Sequence, residues 1–284
     1  MSLAPSQKDS ARRRLRATGR GSGLKLYTYL VLAYLFIPIA VMILFGFNDY
    51  TGRFNFAWEG FTLRHYEQLL DIPELTIALK NSLIIAATST VIATALGTLV
   101  ALALTRYVFR ARPAMNLFIF LPMATPEIVI GVSLLALFVT MQLERGFVTI
   151  VIAHVMFQIS YVIVTVKART SNLDRHLEDA AQDLGASPWT TFWTVTFPLI
   201  FPGILAAALL AFVLSIDDYV VTTFTAGDVT TLPRWIYGAS RFGVPGQVNV
   251  MGTVIFMIGV VYVTVSLIRL RQKERIQIPL PTRA

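Results

Sequence analysis

Residues 214–224, LSIDDYVVTTF, place two adjacent carboxylates, Asp217 and Asp218, at the end of an apolar run. An ionised carboxylate at the centre of a bilayer costs about 2.5–3.5 kcal/mol on insertion scales, so it turns toward the protein interior or toward water. A third carboxylate, Glu127, follows Pro122 and Pro126 in another apolar segment, where prolines open backbone groups to a cavity. Carboxylates so placed offset the cost of moving positive charge through a low dielectric. A conduit must also release what it binds, so tight binding is not expected of them. Paired membrane aspartates can instead hydrolyse peptides, but that needs one Asp on each of two facing helices sharing a proton. Here both lie on one segment and no GxGD motif occurs. No catalytic residue is expected, and the absence of cysteine removes disulfides and cysteine–metal sites.

Adjacent residues of a helix diverge by about 100°, so the two aspartates cannot share a face. Ser215, Asp218, Thr222 and Thr225 follow spacings of three and four and form a polar stripe, whereas Asp217 falls among Leu210, Val213, Val221 and Phe224. The periodicity therefore predicts that Asp218, with Ser215 and Thr222, lines a pathway. Asp217 is expected to be buried against another helix, with His154 at similar depth as a donor. His154, Gln158 and Tyr161 make a second stripe. Bland readings stand beside these. Either aspartate can fix helix packing, Glu127 can cap the proline break, and His154 can be a satisfied core histidine or face a second subunit.

The elements that must hold these groups follow from composition. The 284 residues are 55% hydrophobic and only 14% charged, where a soluble domain has about a quarter. Apolar runs long enough to cross a bilayer, about 20 residues, occur at 25–47, 81–105, 115–141, 147–166, 201–226 and 249–269. Lipid cannot satisfy open sheet edges, and the alternation of a membrane barrel is absent. The expectation is an all-α membrane protein of six transmembrane helices, one transmembrane domain over 25–284 preceded by a disordered basic arm, 1–24. That arm and first run read as a retained signal anchor, because no small-residue cleavage site follows.

Basic residues concentrate in internal loops if both termini are cytoplasmic. Those of the N-terminal arm, then Arg106, Arg110, Arg112, Lys167, Arg169, Arg175 and the C-terminal set through Arg283, all fall on one side. The net charge of +8 is accounted for by that asymmetry and by anionic lipid head groups, not by a nucleic-acid partner. The largest outer loop, 48–80, carries Tyr50, Phe54, Phe56, Trp58 and Phe61.

The longest inner loop, 167–200, is patterned. Leu173, Leu177, Ala180, Ala181 and Leu184 predict a short amphipathic helix, Gly185 its stop, and Pro188 the first turn of a second helix. Pro198 and Pro202 are expected to break the chain before it re-enters the membrane. Such a surface helix–turn–helix can dock in a groove of a soluble partner.

Asp179-Ala180-Ala181, three residues, Gly185, then Phe197-Pro198 and Pro202-Gly203 resemble the EAA loop of ABC-importer permeases. TPEIVIGVSLL (125–135), LSIDDYVVTTFTAG (214–227), TLPRWIYGASRFGV (231–244) and PGQVNVMGT (245–253) are similar to the second permease subunit of spermidine/putrescine-type importers. The typical motif opens with glutamate, where this chain has Asp179 preceded by Glu178.

The resemblance implies a type I importer fold in the bacterial inner membrane. It implies a partner permease, two cytoplasmic ATPases that dock on Glu178, Asp179, Ala180, Ala181 and Gly185, and an extracytoplasmic binding protein. ATP and magnesium would belong to the ATPases, and no cofactor to this chain. No GxxxxGK[ST] loop occurs, which agrees. The same architecture serving an opine, a compatible solute or a phosphonate is the alternative. A passive channel would leave the coupling loop without a purpose.

Overall fold

A computed structural model describes residues 7–171, 173–174 and 176–276. Arg175 and Arg283, counted above among the inner basic residues, lie outside the described residues. In chain order the helices are α1 (Gln7–Phe45), α2 (Arg64–Glu67), α3 (Pro73–Arg106), α4 (Arg112–Ala124), α5 (Glu127–Thr140), α6 (Phe147–Thr170), α7 (His176–Asp183) and α8 (Pro188–Thr191). A π-helical turn, Phe192–Thr196, is followed by α9 (Phe197–Ile216), α10 (Val220–Thr225), α11 (Leu232–Ser240) and α12 (Gly246–Ile276). Extended pairing among the described residues is limited to one bridge, Asn48 with Phe61.

Among the described residues, four helical segments are long and apolar enough to span a bilayer: Gly23–Phe45, Pro73–Arg106, Phe147–Thr170 and Pro188–Ile216. The expected third span is instead a pair, α4 and α5, bent by 103°. Pro126 explains the break. It disfavours helical geometry in the residue before it, and Thr125 is accordingly extended at φ −83°, ψ 132°. The expected fifth span is also interrupted, between Ile216 and Val220. In the last, only Gly246–Tyr262 reads as a shorter apolar helix. The basic arm expected to be disordered is helical from Gln7; it is rich in alanine, arginine and leucine, all strong helix formers.

The described chain forms two compact units, residues 1–69 with 242–284, and residues 70–241. In the first, buried Asn48 organises the loop after α1. Its Nδ2 donates to Asn55 Oδ1 and to the Ala57 carbonyl, each at 2.6 Å, and its Oδ1 accepts from the Glu59 amide at 2.8 Å. Phe47 stacks between Phe61 and Tyr66, with centroids at 5.5 and 4.7 Å. Of the aromatics in loop 48–80 singled out from sequence, Phe61 thus packs on Phe47 in this unit.

The second unit is built on α3, α6 and α9, whose core includes Ala93, Ala101, Leu104, Val162, Val166, Ala207 and Ala211. Small residues let these backbones approach, the usual basis of helix association in membranes. At Gly97 an added Cβ would lie 2.6 Å from Val162 Cγ1.

Pro198 and Pro202 do not break the chain as expected, because residues 188–216 run as one continuous helical rod. Proline at 198 cannot donate to the carbonyl four residues back and its ring collides with it. The π turn just before it widens the backbone locally, with the Phe197 amide bonded to the Phe192 carbonyl five residues back. Pro202 then sits inside α9.

Candidate functional site

Both interruptions of the second unit open onto one cavity of about 440 Å³. Its lining includes Glu127, Asp217, Asp218, Tyr161 and Tyr219, so the three carboxylates singled out from sequence meet at one place. α5 packs directly on α10. Close approach is possible because Gly131 lies under Phe224; a Cβ there would be 2.5 Å from the ring. Glu127 occupies the first turn of α5, where the helix dipole favours an anion.

Asp218 performs a similar service for α10 with direct bonds. Its Oδ1 accepts from the Val221 amide at 3.3 Å, and its Oδ2 accepts from the Thr222 amide at 2.7 Å and the Thr222 hydroxyl at 2.6 Å. These satisfy backbone donors that a helix start leaves unpaired. Asp217 follows the last residue of α9, its amide bonded to the Val213 carbonyl at 3.3 Å, and its side chain is exposed.

The assignment of the two aspartates is therefore exchanged relative to the periodicity. Asp218 is the buried one, with a side chain 5% exposed, and His154 is its partner at 3.3 Å. Asp217 is the exposed one. A single helical phase does not run through residue 226, because the break at 217–219 between α9 and α10 resets it. Both aspartates line the cavity, whereas Ser215 and Thr222 do not; they are 4% and 1% exposed.

Both instead bind His154. Its Nδ1 lies 2.6 Å from Ser215 Oγ and its Nε2 lies 2.9 Å from Thr222 Oγ1. Ser215 Oγ continues to Ser89 Oγ at 3.2 Å. Gln158 Nε2 donates to Ser89 Oγ at 3.2 Å and to the Ala211 carbonyl at 3.1 Å. This network ties α3, α6, α9 and α10 behind the cavity. Ser89 had no signal in the sequence, being one of eight hydroxyl side chains along α3.

At the other end of the rod, α7 ends as the sequence predicts. Gly185 adopts φ +89°, a conformation in which glycine has no side-chain penalty. Its amide bonds to the Gln182 carbonyl at 2.8 Å, and the Ala186 amide to that of Ala181 at 3.1 Å. Ser187 caps α8, its hydroxyl accepting from the Thr190 amide at 3.2 Å, with Pro188 next.

The two candidate carboxylates of α7 separate clearly. Glu178 is held within the chain by Arg106 at the end of α3 and by the Thr196 hydroxyl of the π turn. Asp179 has a side chain 70% exposed, with His176 near it at 4.0 Å. Ala180, Leu177, Leu184 and Trp189 are exposed on the same element, and Ala181 is half-buried. Arg106 and Thr196 as partners of Glu178 were not legible, since they lie far from it in the chain.

Residues 93–276 match the family described as binding-protein-dependent transport system inner membrane component. The chain is 37% identical over 246 residues to the spermidine/putrescine transport system permease protein PotC of Escherichia coli K12, covering 86% of this chain and 92% of that one. It is 36% identical over 254 residues to the putrescine transport system permease protein PotI of the same organism, covering 86% and 90%. A chain from the crystal structure of a bacterial ABC transporter involved in the import of the acidic polysaccharide alginate shares the fold. It has a TM-score of 0.61 at 17% identity and covers 94% of this chain and 99% of that one. A methionine ABC transporter, MetNI, gives 0.55 at 17% identity over 70% of this chain and 95% of its own. With its family match running from within α3 through α12, this chain belongs to the inner-membrane permease components of binding-protein-dependent ABC importers.

Proposed function

We propose that this permease forms half of a route for polyamines of the spermidine and putrescine type. The convergence of Glu127, Asp217 and Asp218 on one cavity carries that reading. Three carboxylates with Tyr161 and Tyr219 beside them suit an ammonium chain, which gains from carboxylates and from aromatic faces. An anionic cargo such as a phosphonate would be repelled there. The names of the two relatives described above support the same cargo.

In this reading the chain crosses the bacterial inner membrane six times, with α4 and α5 sharing one crossing and both termini cytoplasmic. A second permease completes the route, and an extracytoplasmic binding protein delivers the cargo and sets most of the selectivity. Two ATPase subunits, carrying ATP and magnesium, dock on α7 and α8. Asp179, Ala180 and the Gly185 turn face them, while Glu178 anchors the element to α3.

The exposed carboxylate should matter most for transport. Asp217→Asn, assembled to wild-type levels in proteoliposomes with its partners, is expected to reduce ATP-driven polyamine uptake several-fold. Uptake equal to wild type at matched membrane levels would remove the cavity from the route.

A further inference from the structure

One end of α3 is closed by three side chains that satisfy one another. Arg106 Nη2, in the last turn of α3, pairs with Glu178 Oε1 of α7 and donates to Thr196 Oγ1 of the π turn at 3.2 Å. Thr196 Oγ1 passes its own proton to Glu178 Oε1, because a carboxylate paired with a guanidinium only accepts. Thr196 is 1% exposed. This ring of bonds sits where α3, α7 and the Pro188–Ile216 rod meet.

α3 is 34 residues long and its one proline stands at the first position. It therefore runs unbroken for about 51 Å at 1.5 Å per residue. Its other end is bonded as specifically. Asn81 Nδ2 donates to the Thr230 carbonyl at 2.9 Å, and Ser82 Oγ accepts from the Leu232 amide at 2.8 Å. Leu232 opens α11, so Ser82 satisfies a donor that a helix start leaves unpaired. α11 then reaches the cavity. Its Tyr237 ring lies against Tyr219, with centroids 4.6 Å apart, and Tyr219 is part of the cavity lining.

The break at 217–219 is thus gripped from two sides. The rod ends at Ile216 and holds Asp217 directly, while α3 holds Tyr219 through α11. Both begin at Arg106, Glu178 and Thr196.

We propose that α3 is a second strut, carrying displacement of α7 to the α11 side of the cavity, with Arg106, Asn81 and Ser82 as positioning residues. The inference rests on α7 and α8 receiving the ATPases. Coupling over such distances travels through rigid elements joined by packing and specific bonds. A rod acting alone would move Asp217 against a stationary Tyr219 and spend its motion in bending the break. Two struts rooted together move both walls with one displacement of α7.

The test uses the complete complex, binding protein and ATPases included, with spin labels on cysteines introduced into a chain that has none. One pair, Val148→Cys with Ser240→Cys, reads α11 against α6. The other, Val148→Cys with Leu209→Cys, reads the rod against α6. All three positions are exposed. ATP with vanadate is expected to shift both distances by a few ångström, the scale of helix shifts in switching proteins. Arg106→Gln should abolish the α11 shift and leave that of the rod intact. So should Asn81→Ala combined with Ser82→Ala, about 37 Å away along α3. If the rod moves in wild type and α11 does not, or if α11 still moves in either variant, the strut is overturned and the docking reading stands. Loss of both shifts in Arg106→Gln also overturns it, since Arg106 would then only seat the coupling element. If neither distance responds in wild type while the ATPases hydrolyse ATP, the docking reading falls and this proposal falls with it. Should Arg106→Gln fail to assemble, the variant at the other end of α3 decides by the same criterion.

Discussion

Asp217 and Asp218 are neighbours in sequence with different physical tasks. Asp218 holds the start of α10 and answers His154, so its removal should register as stability. Asp218→Ala takes away the acceptor for the Val221 and Thr222 amides, and loss of such a cap costs about 0.5–2 kcal/mol. The purified complex carrying it is expected to unfold at lower temperature than wild type, whereas Asp217→Ala should match wild type in the same scan. Equal melting of the two variants would contradict the capping role. The sequence made the carboxylates visible because charge is rare in apolar runs. It exchanged their roles because a helix interruption written by a side-chain cap is invisible to periodicity. The same limit applied to Ser215 and Thr222, placed on the correct face relative to each other but around His154 instead of the cavity.

Elements whose ends are marked by local chemistry were the legible ones. The α7 stop at Gly185 and the α8 start at Pro188 follow from residue types alone, and both occur where expected. Gly185 has open space around it, so a side chain there meets backbone strain and no clash. Gly185→Val should cost about 1–2 kcal/mol locally, the penalty of a left-handed residue with a β-carbon. The variant is expected to insert and assemble but to drive less uptake per ATP in proteoliposomes, because the turn presenting Asp179 and Ala180 is displaced. Wild-type coupling would show that this turn does not transmit force. The break at Pro126 was less legible, since proline inside an apolar run either kinks a helix or ends it. Which occurs depends on whether a neighbour, here α10 against Gly131, occupies the space.

At the scale of the molecule, the proposed arrangement of spans rests on charge asymmetry, and a chain without cysteine makes it directly measurable. Single cysteines at Arg145 or Asp228 are expected to react with a membrane-impermeant maleimide from outside intact cells. Those at Arg110 or Asp183 should react only after permeabilisation. Labelling of all four from outside would dismantle the proposed topology. One continuous rod, Pro188–Ile216, joins the coupling element to the cavity. At 1.5 Å per residue its 29 residues span about 43 Å. A push on α8 thus reaches Asp217 without crossing a loop. The π turn within that rod has a historical consequence. It amounts to one inserted residue, and an insertion in a rod rotates everything beyond it by about 100°. An alignment of relatives is expected to show the extra residue at 192–196 and the proline at 198 being gained and lost together.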